Sequence, residues 1–103
     1  MKLKWRDSYL STENKSEDKE YLKAEEKFLN DQLKFEGFIF LNEVLKTLGF
    51  KQVKRGQLDG WIFDEFESEK KQVIKLRVKE ENGELVLNLN EEKDISDYVF
   101  KED

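Results

Sequence analysis

Residues 72–90 read QVIKLRVKEENGELVLNLN, and no other stretch limits the fold of this chain so tightly. Ile74, Leu76 and Val78 alternate with Lys75, Arg77 and Lys79, and Leu85, Leu87 and Leu89 alternate with Val86, Asn88 and Asn90. A period of two puts each apolar set on one face of a strand. Between them stands Glu81-Asn82-Gly83-Glu84. Asn-Gly is the pair that a two-residue hairpin turn selects, because both central residues need positive φ. Strands are therefore expected over Gln72–Lys79 and Glu84–Asn90, antiparallel and solvated on one side. A further strand is expected just before them, over Trp61–Phe66.

An apolar sheet face has to be covered. Ser16 is placed to cap a helix, and Glu17, Asp18 and Glu20 follow where the helix dipole favours negative charge. Tyr21, Leu22, Phe28, Leu29 and Leu33 recur at spacings of seven and four, which predicts one apolar stripe on a helix over about 17–35, with Gly37 as its exit. Phe38, Ile39 and Phe40 are too apolar for a loop and are expected in the core. Asn42 is the expected cap of a second, short helix with Val44, Leu45 and Leu48 inward, Gly49 as its stop and Phe50 packed just beyond. Asp94 can cap a last short turn that carries Ile95, Tyr98 and Val99.

At the start of the chain, Met1, Leu3 and Trp5 alternate with Lys2, Lys4 and Arg6. That pattern suits a short edge strand guarded by lysines, running into a loose polar arm. Trp5 and Tyr9 are expected to be the most exposed aromatics, either anchoring a partner or, the favoured reading, pinning this arm to the sheet edge. The reading is an N-terminal arm or edge strand at 1–15 and a single α+β domain at 16–103. In it one long and one short helix pack on a three- or four-stranded antiparallel sheet. The long helix covers Ile74, Leu76, Val78, Leu85, Leu87 and Leu89.

Composition removes several kinds of chemistry. The 103 residues include neither cysteine nor histidine. Thiolate chemistry, disulfides and cysteine-ligated zinc are excluded, as are the Ser-His-Asp and Cys-His arrangements. Aromatics at 13% are too many for a disordered acidic tail, although 42% of the residues are charged. The net charge of −5 disfavours direct contact with nucleic acid or membrane headgroups. No apolar run reaches the length of a membrane span, and MKLKWRDSYL does not resemble a signal peptide, so the expected location is the cytoplasm. No cofactor and no metal site are expected.

The most unusual stretch is DGWIFDEFESEKK, residues 59–71, with the carboxylates Asp64, Glu65, Glu67 and Glu69. Calcium loops carry oxygens at fixed offsets around a central glycine, and none lies between Asp64 and Lys71. Magnesium needs fewer protein ligands, so a metal-dependent hydrolase using Asp59, Asp64 or Glu65 stays as the reading with least support. Glu69-Lys70-Lys71 has the letters of a nuclease Glu-x-Lys but falls in a turn, and the residue two before Lys75 is Val73. Gly56 and Gly60 are not followed by Gly-Lys-Ser or Gly-Lys-Thr, so no phosphate loop is formed. Lys51, Lys54 and Arg55 make a small basic patch, but Phe50 and Trp61 beside it are expected to face the core and not to stack on bases.

KWRDSY, AEEKFLNDQLK, GFIFLNEVLKTLGF, GQLDGWIFD and LVLNLNEEKDI follow one another along the chain. Together they resemble a family of small uncharacterised proteins encoded by phages, prophages and integrative elements of Gram-positive bacteria. The likeness covers most of the chain and is most specific over Phe40–Gly49 and Gly56–Trp61. It brings no catalytic residue with it. The chain leaves the family pattern after Phe63, where Asn, Pro and Gly give way to the acidic run. A mobile-element origin implies action by binding a host or element protein.

One such action presents carboxylates in place of phosphates to a basic nucleic-acid channel. Cross-strand neighbours about 5 Å apart at Cβ approach the required spacing. The candidate partner-binding residues are Asp64, Glu65, Glu67 and Glu69, with Glu80, Glu81 and Glu84 at the other hairpin, although 19 basic residues dilute the field. The expected function is a non-enzymatic protein-binding module, an acidic inhibitor of a host nucleic-acid-handling enzyme of the anti-CRISPR or anti-restriction type. A structural or accessory phage protein is the alternative.

Overall fold

The computed structural model describes residues 1–90 and 93–100. Glu91, Glu92 and positions 101–103, which belong to the expected 16–103 domain, lie outside the described residues. The order of elements is β1 (Lys2–Lys4), α1 (Lys15–Glu36), β2 (Phe38–Phe40), α2 (Leu41–Thr47), β3 (Asp59–Ile62), β4 (Val78–Glu81), β5 (Glu84–Asn88), β6 (Lys93–Asp94) and α3 (Ser96–Val99). The fold is α+β, as the sequence predicts. Its strands divide into two antiparallel sheets of three, β1-β5-β4 and β2-β3-β6.

The Asn-Gly turn forms where expected, with φ of 51° at Asn82 and 80° at Gly83. It joins β4 to β5 with Glu81 opposite Glu84. The strand predicted over Gln72–Lys79 is corrected: regular pairing starts only at Val78. Ile74 and Leu76 are nonetheless fully buried, as their alternation requires. Other groups take the place of a strand neighbour for residues 73–77. The Asn30 side chain of α1 accepts from Ile74 N–H at 2.7 Å and donates to Ile74 C=O at 2.8 Å. Glu26 accepts from Leu76 N–H at 2.8 Å. From the other side, Asn90 accepts from Lys75 N–H and donates to Val73 C=O, and Asn88 N–H donates to Leu76 C=O at 2.8 Å. Buried backbone groups have to be paired, and a side-chain amide can do this as well as a strand.

Helix α1 begins two residues earlier than predicted because Asn14, not Ser16, is its cap, accepting from Glu17 N–H at 3.0 Å. It ends at Gly37, whose φ of 87° suits a residue without Cβ. Leu22, Leu29 and Leu33 face the core. Tyr21 and Phe28 do not, which corrects the single stripe of the sequence reading: they sit about 100° around the helix from Leu22 and Leu29.

Asn42 does not cap α2 either. It lies inside the first turn and clamps Val53, accepting from its N–H and donating to its C=O, each at 2.9 Å. Gly60 pairs with Phe40 across β2 and β3, where a side chain on Gly60 would collide with the Ile39 carbonyl.

The N-terminal strand is an edge strand, with Leu3 opposite Leu87. The expected exposure of Trp5 is overturned, although the residue does pin the N-terminal segment to the rest of the fold. It is only 2% exposed, packs edge-on against Phe50 at 5.9 Å and donates from Nε1 to buried Asp18 at 3.0 Å. Tyr9 is exposed, as predicted. Trp5, Leu22, Leu87 and Trp61 belong to one continuous apolar cluster that α1 shares with both sheets.

Candidate functional site

The acidic run leaves β3 and forms a tight, self-bonded turn. Strand pairing stops at Ile62. Phe63 then donates from its N–H to Gly37 C=O at 2.8 Å, tying the turn's base to the end of α1, and bridges to Lys71. Gln72 closes the base with two bonds, its N–H to Ile62 C=O and its Oε1 to Ile62 N–H. Inside the turn, Asp64 N–H donates to Lys70 C=O, Glu67 N–H to Asp64 C=O, and Lys70 N–H to Glu67 C=O. The Asp64 carboxylate accepts from Phe66 N–H at 3.0 Å. This last contact is the short-range turn that an aspartate makes with the backbone two residues on.

Phe66 is 88% exposed on this framework. The trimmed strand explains why. Strand pairing ends at Ile62, so Phe66 lies inside the turn and on neither face of the sheet. The strand predicted over Trp61–Phe66 is corrected accordingly: it covers Asp59–Ile62.

Around it, Glu65, Glu67 and Glu69 are exposed and Asp64 is half-buried. Glu67 pairs with Lys70 at 3.1 Å, and that hydrogen bond and charge raise the pKa of Lys70. Lys70 also lies over the Tyr98 ring, 5.5 Å from its centre. Glu65 and Glu69 have no cation within ion-pair distance among the described residues.

The other three candidate carboxylates stand in the other sheet, at the β4–β5 turn, and all are partnered. Glu80 bonds Lys19 at 2.8 Å, Glu81 bonds Lys2 at 2.8 Å, and Glu84 lies 3.4 Å from Arg6 Nε. The bond from Lys19, together with its charge, lowers the pKa of Glu80. Lys2 and Arg6 near the N-terminus and Lys19 of α1 thus neutralise this hairpin, and its acids belong to a different sheet from the one that carries the Asp64–Glu69 turn.

Asp59, the third acid of the hydrolase reading, is held by Arg55 at 2.8 Å. Among the described residues no three acidic groups gather where they could hold a metal ion. Lys51 and Lys54 are exposed beside Arg55, while Trp61 is fully buried and Phe50 packs on Trp5, so neither ring is offered for base stacking. Among the described residues no helix is long and apolar enough to cross a membrane.

The chain belongs to the family of unknown function DUF6353, which matches residues 2–99. No curated protein matches the chain, and no solved structure does.

Proposed function

We propose that this member of the family is a non-enzymatic protein-binding module of a phage or mobile element, and that it docks through the turn Asp64–Glu69. The observation that carries the reading is Phe66, held in solvent by a turn whose own hydrogen bonds fix it. A large exposed aromatic on a rigid support is the usual anchor of a protein interface. Glu65 and Glu69, with no cation within ion-pair distance among the described residues, select a basic partner surface. Such a surface is typical of nucleic-acid-handling enzymes, so inhibition of the anti-CRISPR or anti-restriction type is the activity that fits. It would act in the host cytoplasm. Glu80, Glu81 and Glu84 have a lesser part in this reading, because Lys2, Arg6 and Lys19 already occupy them.

The test is capture from nuclease-treated host lysate by the tagged chain, followed by titration of the basic enzyme retained. Phe66→Ala should weaken binding by about tenfold or more, as expected of an aromatic anchor. Glu65→Lys with Glu69→Lys should weaken it further and flatten its salt dependence. Retention that ignores all three substitutions would move the interface elsewhere. Retention of no basic protein would end the inhibitor reading.

A further inference from the structure

The solvent face of α1 carries a second aromatic feature, unconnected to the acidic turn. Tyr21, Phe28 and Phe35 are spaced by seven residues, so they line up along the helix about 10.5 Å apart. Phe28 is 55% exposed and Phe35 91% exposed, with Tyr21 also classed as exposed. Together they offer on the order of 350 Å² of aromatic surface. Tyr21 also borders a groove of about 590 Å³ that runs past Gln32 and Lys46 to Tyr9. Tyr21 also packs on the core ring of Trp5 at 6.2 Å, but the core does not require Phe28 or Phe35, since Leu22, Leu29 and Leu33 supply the inward face of α1.

We infer that this stripe is a self-association face, on which two copies pair their α1 helices antiparallel about a two-fold axis at Phe28. The charges beside the stripe favour a second copy. Glu20, Lys27, Asp31 and Lys34 lie along one flank of it. In an antiparallel pair centred on Phe28, Tyr21 of each copy meets Phe35 of the other, and the same flanks face one another in reverse order. Glu20 then faces Lys34 of the second copy. Lys27, which bonds Asp31 within its own helix at 3.2 Å, also faces Asp31 of the second copy. Apart from Lys27, which also approaches Lys27 of the second copy across the axis, the flank is complementary to its own inversion. The aromatic area alone is smaller than a standard interface, so the dimer is weak, with a Kd on the order of 10–100 μM.

Sedimentation of the full chain from about 5 to 500 μM brackets that range. A monomer–dimer equilibrium is expected. Phe28→Glu should weaken it by about tenfold or more, and Phe35→Asp likewise. Both positions are exposed, so the melting temperature at low concentration should hold. Glu20→Lys alone and Lys34→Glu alone should each weaken pairing, and the two together should restore it. Because the chain has no cysteine, Phe28→Cys supplies a lone thiol on the axis and should oxidise to a covalent dimer, whereas Lys23→Cys should not. A monomer at every concentration overturns the inference and leaves the stripe to a different partner. A dimer unchanged by Phe28→Glu and Phe35→Asp also overturns it. Failure of the double charge exchange to restore pairing overturns the antiparallel arrangement.

Discussion

Asp18 sits in the first turn of α1 and is buried, yet it stays an anion. Burial by itself would raise its pKa. The hydrogen bonds from Thr12 Oγ1, Thr12 N–H and Trp5 Nε1 outweigh that, and the net shift is below the ordinary value of 3.8. A carboxylate whose pKa is lowered by folding stabilises the fold above its unfolded pKa, and that contribution disappears as pH falls through the folded value. We expect Asp18→Asn to cost about 1–3 kcal/mol at pH 7, since an amide cannot accept from all three donors. The gap between the two proteins should close below about pH 4, because only the native residue titrates there. Urea melts at pH 7, 4 and 3 check this, and a gap that stays constant would remove Asp18 as the acid-sensitive group. In the sequence Asp18 was legible only as a first-turn acid. Its partner Trp5 comes from the expected edge strand and Thr12 from the polar arm after it, and nothing in either stretch marks a contact with α1.

The segment 73–77 shows which part of an element a sequence reveals and which it does not. Alternation gave the burial of Ile74 and Leu76 correctly, because burial depends only on which face a side chain takes. It gave the wrong backbone state. Strand pairing depends on which group meets each N–H and C=O, and here Glu26 and Asn30, more than 40 positions away, meet them. The same limit applies to the candidate site. The acids of residues 64–69 were plain in the sequence, but the cations that cancel Glu80, Glu81 and Glu84 arrive through β1, α1 and the residues after β1. Hydrogen exchange can test the substitution of side chains for a strand. The amides of Ile74 and Leu76 should exchange slowly despite lying outside any ladder. Asn30→Ala should speed Ile74, and Glu26→Ala should speed Leu76, each while leaving the β4–β5 amides protected. Equal acceleration across all of them would mean that the segment opens only with the whole protein, and that these two side chains have no local role.

Among the described residues the two sheets share no strand, and α1 together with one apolar cluster connects them. The segment read as an N-terminal arm or edge strand contributes Trp5, only 2% exposed, to that cluster. If the cluster is a single core, the sheets have no separate stabilities and the chain unfolds in one step. The two tryptophans make this measurable. Trp5 follows β1 of the first sheet and Trp61 lies in β3 of the second. In Trp5→Phe the remaining fluorescence comes from Trp61, and in Trp61→Phe it comes from Trp5. Each substitution removes buried volume and should lower stability, on the order of 1–3 kcal/mol. Within each variant, however, the fluorescence transition and the far-UV circular dichroism transition should coincide in urea. A Trp5 signal that melts first, with helix content intact, would show that the N-terminal arm is a separable unit. Coincident curves in both variants would mean that the arm, both sheets and the long helix form or fail together, so that the acidic turn and the aromatic face of α1 are carried on one rigid body.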